Sequence, residues 1–200
     1  VGGADLKSDE IVITSRVRLA RNLNKVPFPH KIPTEKARDL VNKIEDVFYG
    51  KDEYDKEFNT IYLWNTDKLT QKSYFERHLI SSNMMSNSSK AAFIYNNDET
   101  VSVMINEEDH LRIQCINSGY NLDKSLEIAN EIDDFLEESL DFAFHEKYGF
   151  LTACPTNIGT ALRASVMIHL PVITVSGKLE GVANALSQIG MTIRGLYGEG

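Results

Sequence analysis

The chain reads as an α+β fold, a mainly antiparallel β-sheet flanked by helices, and three observations predict it. Apolar runs at residues 91–95, 100–105 and 111–116 are joined by polar turns of a few residues, too short for the crossover that parallel pairing needs. A run at residues 10–18 opens with β-branched residues and continues in alternation, which suits an extended strand. From Leu122 to Phe144 apolar residues instead recur at three- and four-residue steps, the spacing of a helix lying on a core. A chain of 200 residues fits one domain with a real core. It contains no internal repeat and no linker, so residues 1–200 are taken as a single unit.

The elements follow in order. In the first strand, alternation turns Arg16 and Arg18 to the same side. Two guanidiniums side by side repel unless an anion lies between them, and their planar forks suit phosphate; a solvated edge strand is the other reading. After Pro27, Pro29 and Pro33, Thr34 can cap a helix whose stripe is Leu40, Val41, Ile44, Val47 and Phe48, with Gly50 as its stop. Residues 58–65 are aromatic and β-branched and predict a strand. Thr66 or Asp67 then opens a short helix through Leu69 and Tyr74 toward Leu79, with His78 a structural residue near its end. Residues 81–90 have no period and little bulk, and predict a mobile loop.

On the last strand of the meander Leu111, Ile113 and Cys115 share one face, while Arg112 and Gln114 share the other. Cys115 is therefore expected to be buried. The turn before it sets Glu107, Glu108 and Asp109 side by side; by itself this reads as a solvated acidic turn. In the long helix Glu127, Glu131, Asp134, Glu137, Glu138 and Asp141 fill the wet face. Residues 150–171 read as two strands flanking a turn that contains Cys154, Pro155, Thr156, Asn157, Gly159 and Thr160. A thiol, hydroxyls, an amide and free backbone N–H groups could grip an anion near Arg163, although a solvated β-turn has the same composition. Leu179, Val182, Leu186 and Ile189 mark a last helix, ended by Gly190.

Composition excludes several classes. A net charge of −8 argues against a nucleic-acid or anionic-membrane surface, so any anion site must be concentrated. Cys115 and Cys154 are too few for a disulfide framework or a four-cysteine zinc site. No apolar run reaches 18 residues and the start lacks a signal-peptide pattern; a reducing cytoplasm is the expected location. No P-loop, dinucleotide fingerprint, H-E-x-x-H or G-x-S-x-G element occurs.

Four separated stretches carry a more specific signal. They are Ser-Arg-Val-Arg-Leu-Ala-Arg-Asn at 15–22, Asn-Glu-Glu-Asp-His-Leu-Arg at 106–112, Cys-Pro-Thr-Asn-Ile-Gly-Thr-Ala-Leu-Arg at 154–163, and the end from Met191 through Arg194 and Glu199. Together they resemble the signatures of the phosphagen (guanidino) kinases, most closely the bacterial protein arginine kinases of McsB type. The resemblance implies an ATP-dependent kinase in which Arg16, Arg18, Arg112, Arg163 and Arg194 hold the nucleotide phosphates. It implies that Glu108 and Glu199 grip the acceptor guanidinium, that Glu108 removes its proton, and that Cys154 sits beside it. Thr156 and Asn157 belong to the substrate loop. ATP is the donor, and Mg²⁺ is held by nucleotide oxygens and water rather than by protein ligands.

Small-molecule members carry a helical domain ahead of the arginine strand, whereas here little precedes Arg16. An open acceptor site fits arginine on a protein. Expected partners are therefore protein substrates presenting arginine, with an McsA-type activator, a Clp-type unfoldase or protease and a homodimer of the parent by resemblance, and with stress response as the setting. A small-molecule guanidino kinase and a non-catalytic phosphoarginine- or nucleotide-binding module are the alternatives. The chain is also expected to stop before the family's last strands and helices, leaving residues 1–200 an incomplete catalytic domain and this fragment inactive.

Overall fold

A computed structural model describes residues 11–51 and 54–195. Strand β1 (Val12–Arg21) buries Val17 and Leu19 on one face and turns Arg16 and Arg18 to the other. Helix α1 (Thr34–Phe48) buries Ala37, Leu40, Val41, Ile44 and Phe48, the expected stripe with Val47 at its margin. Its cap differs from expectation: the extended residue is Pro33, Thr34 is already helical, and no side chain caps the end. Pro33 has the extended backbone the position needs, so the helix starts one residue earlier.

Short helix α2 (Tyr54–Glu57) leads into β2 (Phe58–Tyr62). The strand expected through residue 65 stops at Tyr62, because Leu63–Asn65 curl into a 3₁₀ turn. The Gln71 side-chain amide donates to the carbonyls of Leu63 and Thr66 at 2.9 Å each, and Leu63 is buried. Helix α3 (Lys68–Glu76) has Asp67 as its cap, accepting from the N–H groups of Leu69 and Thr70. The predicted mobile loop contains helix α4 (Ser82–Ser86) instead. Ser81 caps it at the Met84 N–H, and Met84 is fully buried; one long apolar side chain anchors a polar stretch that has no period to reveal it.

Strands β3 (Ala92–Asn96), β4 (Val101–Ile105) and β5 (Leu111–Ser118) form the expected meander, with Cys115 buried. Helix α5 (Leu122–Glu137) ends well before residue 144. Beyond Leu140 the chain runs beside residues 22–24, with the Asn24 N–H donating to the Asp141 carbonyl and the Ala143 N–H to the Asn22 carbonyl. Leu140 and Phe144 stand four residues apart, as in a helix, but with Phe142 between them they also alternate, and tertiary pairing selects the extended form.

Short strands β6 (Phe144–His145) and β7 (Gly149–Phe150) make a hairpin, so only the second of the two runs expected around Cys154 joins the main sheet, as β8 (Leu162–Ile168). Gly149 has φ +77°, and a Cβ there would come within 2.5 Å of the Gly159 carbonyl oxygen. That close approach pins the base of the Cys154 loop. Helices α6 (Pro171–Val175) and α7 (Leu179–Gln188) follow, the first not anticipated from sequence.

Among the described residues, the main sheet has the order β2-β3-β4-β5-β1-β8 with every neighbouring pair antiparallel. One face carries Val17, Leu19, Ile113, Cys115, Val103 and Ile94 and is buried under α1 and α5. The opposite face is apolar only toward β3 and β4, where Phe93 and Met104 pack with Leu63, Leu79 and Met84. Toward β5, β1 and β8 that same face becomes cationic.

Candidate active site

Register builds the cationic face. Arg18 lies opposite Gln114 of β5 and Arg163 of β8, Ala20 lies opposite Arg112, and Arg16 lies opposite Ser165. Because residues directly opposite in an antiparallel pair project to the same side, Arg16, Arg18, Arg112 and Arg163 share one surface across the three strands. Arg16 Nε reaches Ser165 Oγ at 3.4 Å. Arg163 donates to Asn157 Oδ1 at 3.0 Å. Arg18 Nε is buried and has no hydrogen-bond partner among the described residues.

The electrostatics match this crowding. Burial, then Arg16, Arg112 and Arg163, push the Arg18 pKa down to about 9, against a smaller pull from Glu107. Arg16 is lowered by burial and then by Arg112 and Arg163. Among the described residues Arg112 pairs with Glu107, whereas Arg16, Arg18 and Arg163 form no ion pair with a carboxylate, and guanidinium forks gathered on one surface suit a polyphosphate.

The acidic turn resolves into distinct roles. Glu107 is 3% exposed. One of its oxygens accepts from Ser81 Oγ at 2.6 Å, and the other accepts from the Glu108 N–H and pairs with Arg112, both at 2.7 Å. Asp109, 1% exposed, accepts from the Asn22 side-chain amide at 2.6 Å and the Ala153 N–H at 2.7 Å. Glu108 differs, with a side chain 39% exposed and Arg112 at 3.6 Å. Burial, then Asp109 and Glu107, raise its pKa, with Arg112 and Arg163 opposing. Of the three carboxylates it is the one free to meet an incoming cation, and a raised pKa suits a base.

Across from this turn, Cys154 Sγ lies 3.0 Å from Thr156 Oγ1. Residues Pro155–Asn157 form a 3₁₀ turn, and Asn157 bonds to Arg163. The loop thus joins the thiol to the arginine face. Arg194 lies exposed in the segment after α7. Glu199 falls outside the described residues.

Arg21 belongs to the opposite face. Its guanidinium is buried, donates to Asp133 at 2.6 Å, to the carbonyls of Ala20 and Thr160, and stacks 3.6 Å from the centre of the Phe150 ring. It is a fastener between β1, α5 and the Cys154 loop, since strand parity puts it on the side away from Arg16 and Arg18. His78 feels the positive charge of Arg16, and burial and that charge lower its pKa. Sequence reasoning missed Asn22 and the buried part of Asp109, because a polar residue just past a strand ordinarily signals only a turn.

Among the described residues, no group of three or more His, Cys, Asp or Glu is placed to hold a metal ion, and no helix is long and apolar enough to cross a membrane. Residues 39–200 match the ATP:guanido phosphotransferase C-terminal catalytic domain. The chain is 54% identical over 190 residues to a protein-arginine kinase of Clostridium kluyveri, covering 95% of this chain and 55% of that protein. It is 53% identical over 197 residues to a protein-arginine kinase of Clostridium acetobutylicum, covering 98% and 58%. The chain therefore spans little more than half the length of these curated relatives. Among solved structures, the duplicated taurocyamine kinase of Schistosoma mansoni, with bound transition-state-analogue components, superposes with a TM-score of 0.81 at 26% identity over 99% of this chain and 28% of that one. With an arginine face bordered by the partly exposed Glu108, a sheet shared with a guanidino kinase and a sequence matched across residues 39–200, this chain belongs to the ATP:guanido phosphotransferase family.

Proposed function

We propose that this chain is the catalytic part of a kinase that moves the γ-phosphoryl group of ATP onto the guanidinium of arginine in proteins. The observation that carries the reading is the crowding of Arg16, Arg112 and Arg163 around Arg18, with Glu108 at the edge of the cluster. Arg16, Arg18, Arg112 and Arg163 would hold the phosphate oxygens and offset charge that moves toward the leaving ADP, the largest contribution to phosphoryl transfer. Arg194 is proposed to join them and Glu199 to form the second carboxylate, both on resemblance. Mg²⁺, carried by nucleotide oxygens and water, would supply further charge neutralisation.

The acceptor is the harder half, since a protonated guanidinium has no free lone pair to offer. Glu108 would accept a proton from the attacking nitrogen as its N–P bond forms and the bond from the γ-phosphorus to the β,γ-bridging oxygen breaks, the electron pair leaving with ADP. Cys154, beside Thr156 and joined through Asn157 to Arg163, would face the guanidinium and orient it. The protein acceptor is supported by the relatives at 54% and 53% identity, which are named protein-arginine kinases. By resemblance the proposal extends to a cytoplasmic enzyme with an McsA-type activator, a Clp-type unfoldase or protease, and a homodimer of the whole protein.

The test is incubation of the whole protein with γ-labelled ATP and either an arginine-containing unfolded protein or free arginine. Acid-labile label on the protein, lost in Glu108→Gln, is expected. Label only on the free amino acid identifies a small-molecule guanidino kinase, and nucleotide binding without turnover identifies a binding module.

A further inference from the structure

Glu108 and Cys154 come from separate parts of the chain, and one small buried group of hydrogen bonds links the two segments that carry them. At its centre is Asn22, 2% exposed and just past the end of β1. Its side-chain carbonyl accepts from the His110 N–H at 2.9 Å. Its side-chain amide donates to Asp109 Oδ1 at 2.6 Å and to the Leu151 carbonyl at 3.0 Å. The same Asp109 oxygen accepts from the Ala153 N–H at 2.7 Å.

Asn22 thus holds the two residues that follow Glu108, and it holds the strand entering the Cys154 loop both directly and through Asp109. An amide fits because it offers one acceptor and two donors in a fixed plane, matched here to one N–H and two oxygens. The far side of the turn is fixed as well. The Asn106 N–H donates to the His110 carbonyl, and the Asn106 side chain donates to the carbonyls of Ala37 and Lys90. The backbone of Asn22 adds a further tie through its carbonyl, which accepts from the Ala143 N–H at 2.7 Å. The proposed phosphate arginines make no contact with Asn22 among these bonds.

We propose that Asn22 is a positioning residue for the phosphoacceptor, fixing the distance between the Glu108 carboxylate and the Cys154 thiol without touching either. The idea rests on the reading of Glu108 and Cys154 as acceptor-side groups. Removing the amide leaves the Ala153 N–H to Asp109 bond as the remaining tie of this group between the acidic turn and the thiol loop, so the two are held less firmly, and a shift near 1 Å at a reacting pair costs about a hundredfold in rate. Nucleotide binding, built on the strand arginines, is left in place.

The experiment compares the whole protein with Asn22→Ala and with Asn22→Ser, which keeps one donor and one acceptor at reduced reach. Steady-state rates against an arginine-containing protein and against ATP give both KM values, and N-ethylmaleimide alkylation of Cys154 is followed by mass spectrometry, the buried Cys115 serving as the unreactive internal reference. In Asn22→Ala the acceptor kcat/KM is expected to fall between tenfold and a hundredfold while the ATP KM moves less than about twofold. The alkylation rate should change at least about threefold, with Asn22→Ser between the two. Equal losses toward both substrates, or an unchanged alkylation rate in a folded variant, would overturn the assignment. Should the unsubstituted protein show no transfer to any guanidinium, the functional reading fails while the alkylation comparison still decides this one; should Asn22→Ala not fold, Asn22→Ser decides it alone.

Discussion

Arg18 on β1 stands directly opposite Arg163 on β8, like charge against like charge on the same face of the sheet. Such a pair destabilises the strands that carry it. Arg16 and Arg112 add to the crowding of positive charge around it, an arrangement that suits the proposed anion site.

Replacing Arg18 should therefore separate stability from binding. Arg18→Met is expected to raise the melting temperature of the ligand-free protein by a few degrees, since relief of about 1 kcal/mol corresponds to roughly 2–4 °C at this size. Tripolyphosphate or ATP at about 100 times its Kd should stabilise the native protein by about 2.7 kcal/mol and the variant far less at the same concentration. Differential scanning fluorimetry with and without ligand reads both; a destabilised empty variant would contradict the repulsion.

Glu108→Gln is expected to reduce phosphoryl transfer by about 10²–10⁴-fold with nucleotide affinity little changed. In the native enzyme, kcat/KM should fall as pH drops, with its acidic limb above the ordinary glutamate value of 4.5, because burial, Asp109 and Glu107 raise the pKa of the free enzyme. The stability sign is opposite to the activity sign. A raised folded pKa favours the protonated form in the fold, so ionised Glu108 opposes folding at neutral pH and Glu108→Gln should unfold no more easily than the native protein.

The buried Arg21–Asp133 pair should respond asymmetrically. Arg21→Met leaves Asp133 charged and enclosed and is expected to cost about 3–5 kcal/mol, whereas the double variant with Asp133→Leu should recover much of that loss. The Asp133 pKa is raised, chiefly by burial, with Arg21 opposing and Glu137 and Asp134 adding to the rise. Urea midpoints at constant m-value give the coupling; additive losses would show that the pair acts independently.

His110 predicts a pH dependence of stability. The Leu23 N–H donates to its Nδ1 at 3.0 Å, so Nε2 carries the proton toward the Pro27 carbonyl at 2.9 Å and the ring is neutral. Burial holds its pKa below the usual 6.5. The folded state then binds fewer protons than the unfolded one, and stability should be lost as pH falls below 6.5, by at most about 1.4 kcal/mol per pH unit for this group. His78 adds a slope of the same sign. His110→Asn should be less stable at pH 7 and show a shallower decline, measured by denaturation between pH 7.5 and 5.5.

Much of this was legible in one dimension. Alternation at Arg16 and Arg18 announced a cationic face, short turns announced antiparallel pairing, and the motif around Glu108 singled it out from its acidic neighbours by resemblance. Helix α4 was hidden because its cap and its one anchoring methionine leave no period. The end of α5 was hidden because Leu140 and Phe144 satisfy two periods at once.

Residue order along the chain determined which side chains share a face, since that depends only on the two-residue repeat of a strand. Register between β1, β5 and β8 decided which faces meet, bringing Arg112 and Arg163 to Arg18, and the packing of α5 supplied Asp133 to Arg21 on the other face. Tertiary structure alone buried Glu107 and Asp109, left Glu108 free, and gave Asn22 its three partners. Hydrogen bonds spanning 87 to 129 residues leave no trace in local sequence pattern, because their strength comes from exclusion of water that only the finished fold achieves.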